Sequence, residues 1–165
     1  MASAPAHGAA VTLRHADRRQ LAAETARYLG GLSILAVGAV HAQQYYDAYF
    51  SSVPTIGTLF LLSFIGAAAV GATLFAPVRL LGRAIGDLAL VLAALGAIGI
   101  AVGTFVSLLI SEYMPLFGFM ESGYRLAIVL TLVFDVLTTA LLGAFLVLVA
   151  PRVVHTLKTR EWRDR

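Results

Sequence analysis

The chain has 165 residues, of which 59% are hydrophobic and only 13% charged, with a mean hydropathy of +0.86 and a net charge of +3. A soluble domain is closer to half apolar and a quarter charged, so this composition excludes an ordinary soluble globular domain and points to membrane-spanning segments. The absence of cysteine excludes disulfides, thiolate metal sites and a cysteine nucleophile.

The basic residues lie in the two termini and one loop, and no aromatic platform accompanies them. They read as charge at a membrane surface rather than as a nucleic-acid site, so the bilayer is the expected partner and nucleic acid is not. Lys158 is the only lysine beside many arginines, and Ala, Gly and Val are abundant, which points to a bacterial chain.

In chain order, residues 1–27 read as a polar cytoplasmic region. Its first ten residues are expected to be disordered, and 17–27 to form a short amphipathic helix with Arg14, Arg18, Arg19 and Arg27 near headgroups. The first span covers about 28–50, but only Leu29 to Val40 is uniformly apolar. Val40-His41-Ala42 also resembles a small-x-small cleavage site, and Arg18-Arg19 a twin-arginine signal, so a cleaved leader is the competing reading. The second span covers about 55–75, behind Pro54 in its first turn. A short loop with Pro77, Arg79 and Arg83 follows. The third span covers about 88–110, with Asp87 as its cap. An aromatic loop, 111–124, leads to the fourth span, about 125–150. Pro151 is expected to end it, leaving a basic cytoplasmic tail over 151–165.

The loops at 41–54 and 111–124 carry Asp47, Glu112 and Glu121 but no arginine or lysine. Positive charge sits on the cytoplasmic side of such proteins, so both termini are expected inside. The expected fold is therefore all-α: an integral membrane bundle of four helices, with an outer belt of Tyr45, Tyr46, Tyr49, Tyr113 and Tyr124. Small or polar residues at helical spacing mark the faces that should pack together. They are Gly31, Ile34, Gly38, His41 and Tyr45; then Ser63, Gly66, Val70 and Thr73; then Gly96, Gly99, Gly103 and Ser107; then Thr131, Asp135, Thr138 and Gly143. Gly99 and Gly103 would also serve a homodimer.

Two ionisable residues fall inside the spans. Counting helical rise from the outer ends puts His41 roughly 13 Å deep and Asp135 roughly 15 Å deep. Ser63, Thr104 and Ser107 fall in the same half. An unpaired carboxylate there must pair or protonate. The functional reading is an outward-facing pocket with His41 and Asp135 paired at its floor and Gln44, Tyr45 and Thr131 on its wall. In that reading Asp135→Asn keeps the fold and loses ligand or proton release. The bland reading is that the two residues lock the first helix to the fourth.

A metal site on His41, Asp47, Glu112 and Glu121, with Met114 and Met120, has no ligand spacing behind it. Haem needs two imidazoles at one level, and His155 lies at the opposite depth from His41. Arg125 reads either as a partner of Glu121 or as a clamp for an anionic headgroup. No catalytic motif is present, so an enzyme is the less favoured class and no cofactor is assigned.

Arg27-Tyr-Leu-Gly-Gly-Leu-Ser-Ile-Leu-Ala-Val-Gly-Ala-Val-His41 resembles the first helix of DoxX-like small membrane proteins. The likeness spans that helix alone. It implies four spans, cytoplasmic termini and an association with quinone or redox partners. Gln43 to Tyr46 and Asp135 have no counterpart in it. The sequence thus leads to a membrane protein with a binding or accessory role for a lipid, quinone or small solute. The rivals are a proton-coupled transporter acting as a dimer and a structural subunit of a larger membrane complex.

Overall fold

Proline punctuates the helices. No proline occurs between Ala6 and Val53, and over that Ala-rich stretch the chain forms one long helix, α1 (Ala6–Asp47). Pro54 opens α2 (Pro54–Phe75), and Pro77 precedes the 3-10 turn Val78–Leu81. Then come α3 (Arg83–Tyr113), closed before Pro115, and α4 (Leu126–Glu161). A second 3-10 turn, Phe50–Ser52, joins α1 to α2. The structure, a computed structural model, describes residues 6–48, 50–118, 120 and 125–161, with side chains at 17–48, 50–118, 120 and 125–150.

Among the described residues the fold is all-α, with four α-helices. Three are long and apolar enough to cross a membrane: Pro54–Phe75, with mean hydropathy 2.0, and Arg83–Tyr113 and Leu126–Ala150, each with 2.4. The first helix falls outside that group among the described residues, because its upper part carries His41, Gln43, Gln44 and Asp47.

Each helix lies against its chain neighbours, α4 closes the ring onto α1, and α1 and α3 stand diagonally with little contact. Neighbours run antiparallel. A Cβ at Gly31 would stand 3.3 Å from Leu74 Cβ, and one at Gly38 would stand 2.9 Å from Ala67 Cβ. Gly66 meets Ile100, and Gly96 meets Val70. The interior is small-residue and tight: Ala67, Ala94, Ala97 and Ala101 are all 0% exposed. The outside is apolar, with Leu62, Leu92, Leu95, Val106, Val133 and Val136 exposed.

Several boundaries differ from expectation. The region 17–27 is not a separate surface helix but the lower part of α1, and residues 6–10 are helical; residues 1–5 lie outside the description. Nothing in the sequence there breaks a helix. Asp87 does not cap α3. Helix α3 begins one turn earlier, after Gly82, whose φ of +108° is a glycine conformation. Pro151 does not end α4, which continues to Glu161; proline's own φ is helical, and its ring removes one backbone bond without forcing a stop. Tyr49, Phe119, Glu121 and Tyr124 lie outside the described residues, so the tyrosine belt is seen only at Tyr45, Tyr46 and Tyr113.

The lower end of the bundle is fastened by charge. Glu24 accepts from Arg27 at 2.7 Å and from Arg79 at 2.7 Å, and Arg79 donates to Asp87 at 3.0 Å. Arg27 is buried, stacks on Tyr28 at 4.3 Å, and leaves its Nε without a partner among the described residues. Glu24 therefore ties α1 to the α2–α3 connection. Glu24→Ala is expected to lower unfolding stability by about 1–2 kcal/mol, since it strands a buried guanidinium. Thermal unfolding in mild detergent, with Glu24→Gln as the milder variant, measures this.

Candidate functional site

Above the level where Gly66 meets Ile100, the four helices diverge around a cavity of about 430 Å³. Helix α1 contributes His41 and Gln44, α2 Phe60 and Ser63, α3 Gly99, Gly103, Thr104 and Ser107, and α4 Thr131, with Arg125 just before α4. Phe50 and Ile56 complete the wall at the upper end. Most of the wall is apolar.

His41 stands at one side, 6% exposed. Its Nδ1 lies 2.9 Å from the Val37 carbonyl oxygen one turn below. A carbonyl only accepts, so Nδ1 carries the proton, which in the neutral form of the ring leaves Nε2 as an acceptor. No group among the described residues bonds Nε2. The ring is fixed edge-on against Phe60, with centroids 5.2 Å apart, and Phe60 packs on Phe50 at 4.8 Å. Ser63 and Ser107 also line the cavity, and neither hydroxyl has a hydrogen-bond partner among the described residues. The other hydroxyls are satisfied locally: Thr131 donates to Ala127 O at 2.9 Å and Ser111 to Leu108 O at 2.8 Å.

Asp135 is elsewhere. It is 1% exposed and does not line the cavity. Thr104 Oγ1 donates to its Oδ2 at 2.9 Å, bridging α3 to α4. Its Oδ1 has no partner among the described residues, nor does Thr138 Oγ1 one turn further along α4. The expected His41–Asp135 pair does not form. The reason lies in register: Gly30 of α1 faces Leu142 of α4. About three turns up from each, His41 comes beside Thr131, which leaves Asp135 a turn lower and turned to α3.

Of the five residues picked from sequence, His41, Gln44 and Thr131 share the cavity wall. Tyr45 does not line it and packs edge-on against Tyr46, centroids 5.0 Å apart. Asp135 sits behind the wall, holding Thr104. Gly99 and Gly103, expected between packed helices, instead face open space, with nothing within 4 Å of a Cβ built on either. The packing face of α3 is alanine: Ala93, Ala94, Ala97 and Ala101. Sequence reasoning also missed Phe50 and Phe60, whose signal was aromatic pairing across the α1–α2 turn.

Arg125 lies at the upper rim, 5.9 Å above the Phe50 ring. Its expected partner Glu121 is outside the described residues. No group of three His, Asp or Glu side chains comes together among the described residues. No protein-family model, no curated protein and no solved structure matches this chain, so the DoxX-like likeness rests on Arg27 to His41 alone.

Proposed function

We propose that the chain is a four-span protein of a bacterial cytoplasmic membrane, with both termini inside, that holds a small neutral amphiphile in the cavity. Its role is binding or accessory rather than catalytic. The membrane part is supported by the inverted surface: Leu and Val outside, Ala, Gly and Thr inside, as helices in lipid pack. Helix α1 then crosses as the fourth span, with His41 buried against its neighbours and Gln43, Tyr46 and Asp47 exposed at its upper end. His41, Ile34 and Val37 are buried in that packing, which supports the reading of the first helix as a retained span. The arginines at the lower end support a cytoplasmic location for that end.

The observation that carries the binding reading is a set of three unserved hydrogen-bonding groups on a mostly apolar wall: His41 Nε2, Ser63 Oγ and Ser107 Oγ. Pockets for small molecules are built this way, apolar with a few convergent polar atoms. An acceptor nitrogen asks for a donor, so a hydroxyl-bearing ligand fits better than a ketone or an alkane.

Titration with dodecanol against dodecane, read by native mass spectrometry of the detergent-solubilised protein, tests this. The wild type is expected to prefer the alcohol by about tenfold, one hydrogen bond's worth, and His41→Leu to lose that preference. Equal retention of both by the wild type would sink the reading.

Proton-coupled transport has one observation in its favour. Asp135 Oδ1 and Thr138 Oγ1 extend unpaired polar atoms below Thr104. Beneath them come Leu142, Phe145 and Ile34, all 0% exposed, and no titratable group until Arg27 among the described residues. A proton route stops there, and binding is the better reading.

A further inference from the structure

We infer that the ligand reaches the cavity sideways from the lipid, through a seam between the upper parts of α2 and α3, and is therefore a membrane-dissolved amphiphile rather than a water-borne solute. This rests on the binding reading above and names the class of ligand that the site takes.

Three of the four helix seams are held together beside the cavity. His41 against Phe60 joins α1 to α2, the Thr104–Asp135 bond ties α3 to α4, and on the α1–α4 side the wall residues His41 and Thr131 are both buried. The α2–α3 seam is closed at the floor of the cavity, where Ile100 joins the lining, and below it. A Cβ at Gly66 would stand 3.0 Å from Ile100, and one at Gly96 would stand 3.2 Å from Val70. Beside and above that contact, Gly99 and Gly103 have nothing within 4 Å of a Cβ. Gly99 and Gly103 on α3, with Leu59 and Leu62 on α2, are at once exposed and part of the cavity wall. A residue with both properties is the edge of an opening.

The chemistry of that edge selects the occupant. The seam is bordered by two leucines and two glycines and carries no charge, so an alkyl or isoprenoid chain crosses it without desolvating anything. The upper mouth is different: Gln44, Ser111 and Arg125 border it. Between them stands His41, nine-tenths buried, with Nε2 unserved. A chain entering between α2 and α3 brings its hydroxyl to that nitrogen while its tail lies along Gly99 and Gly103. Along α3, from Gly99 to Ser111, the wall runs roughly 18 Å, enough for a long single chain.

The chain has no cysteine, so one introduced thiol reports alone. Gly103→Cys adds a side chain into open space and leaves the packing untouched. Thr55→Cys, on the exposed first turn of α2, is the aqueous reference. In liposomes of the purified full chain, a lipid-soluble pyrene maleimide and a charged methanethiosulfonate compete for each thiol. Gly103→Cys is expected to favour the lipid-soluble reagent at least tenfold more than Thr55→Cys does, and dodecanol is expected to slow its labelling.

Preference for the charged reagent would mean an aqueous mouth and would overturn the inference. Silence toward both reagents while Thr55→Cys reacts would mean a closed seam and would overturn it too. Rapid disulfide-linked dimers of Gly103→Cys would show that a second copy covers the seam, with the same result. Lipidic labelling that dodecanol does not slow leaves the lateral opening standing and removes the hydroxyl ligand instead.

Discussion

Gly103→Trp is expected to abolish ligand retention, by a hundredfold or more, while leaving the fold as stable as before or slightly more so. Nothing lies within 4 Å of a Cβ at this position, and the space beyond it is the cavity itself. An indole there occupies the volume that the ligand's chain would fill. A hundredfold loss corresponds to about 2.7 kcal/mol, which an apolar chain excluded from a pocket readily supplies. Filling a cavity commonly adds about 0.5–2 kcal/mol of stability. The contrast is Gly38→Leu, whose Cβ would stand 2.9 Å from Ala67 Cβ and 3.6 Å from the Phe64 carbonyl. That variant pushes α1 off α2 and is expected to cost about 1–3 kcal/mol. Native mass spectrometry with dodecanol, run beside thermal unfolding, separates the two. If Gly103→Trp unfolds like Gly38→Leu, Gly103 is a packing glycine and the cavity is not open there.

These two glycines show where the sequence was legible and where it was not. Spacing alone put Gly31, Ile34, Gly38 and His41 on one face of the first helix, and all four are buried. The same rule named Gly99, Gly103 and Ser107 on the third, and all three are exposed on the cavity side. Small residues serve two opposite ends, letting a backbone approach or leaving room for something else, and periodicity does not distinguish them. On α2 the chosen stripe, Ser63, Gly66 and Val70, is one residue away from the face packed on α1, which is Ala67, Gly71 and Leu74. A shift of one residue turns a helix by about 100°. Gly66 and Val70 then belong to the α3 contact.

Depth was readable for the same reason that azimuth was not. Helical rise is fixed, so counting residues put His41, Ser63, Thr104, Ser107 and Asp135 in one half of the bundle, which the structure bears out for the four that meet at the cavity. Which neighbour each one faces depends on how the helices are rotated and offset, and no local rule sets that. Two polar residues at one level invited a pair; the bundle gave Asp135 to Thr104 and His41 to its own backbone. The continuity of α1 from Ala6 to Asp47 was missed because polarity was read as a boundary, although an Ala-rich, proline-free chain stays helical through a change of solvent.

The second large effect concerns Asp135, for which two neighbouring substitutions are expected to act in opposite directions. A carboxylic side chain near the centre of a span costs about 2.5–3.5 kcal/mol against an apolar one. The return is one hydrogen bond from Thr104, and such interhelical bonds average about 0.6 kcal/mol and reach about 1.7. Oδ1 returns nothing, having no partner among the described residues. The cost exceeds the return, so Asp135→Val is expected to raise stability by about 1–2 kcal/mol. Thr104→Val removes the only donor among the described residues and leaves both oxygens unserved, and should lower stability by about 1–3 kcal/mol. In the Asp135→Val background the same Thr104→Val change should be nearly silent, because its hydroxyl then bonds only Ile100 O and Ala101 O, each at 3.0 Å. A double-mutant cycle on denaturant unfolding in mixed micelles reads all three. Dodecanol binding by Asp135→Val should stay within about threefold of wild type, since the acid lies behind the cavity wall and acts only by positioning Thr104. A stabilised variant that still binds would mean that the acid is kept for something other than the fold or the ligand, and would reopen the deeper path through Thr138. A destabilised one would make the Thr104–Asp135 bond a structural lock between α3 and α4 and leave the cavity as the whole of the site.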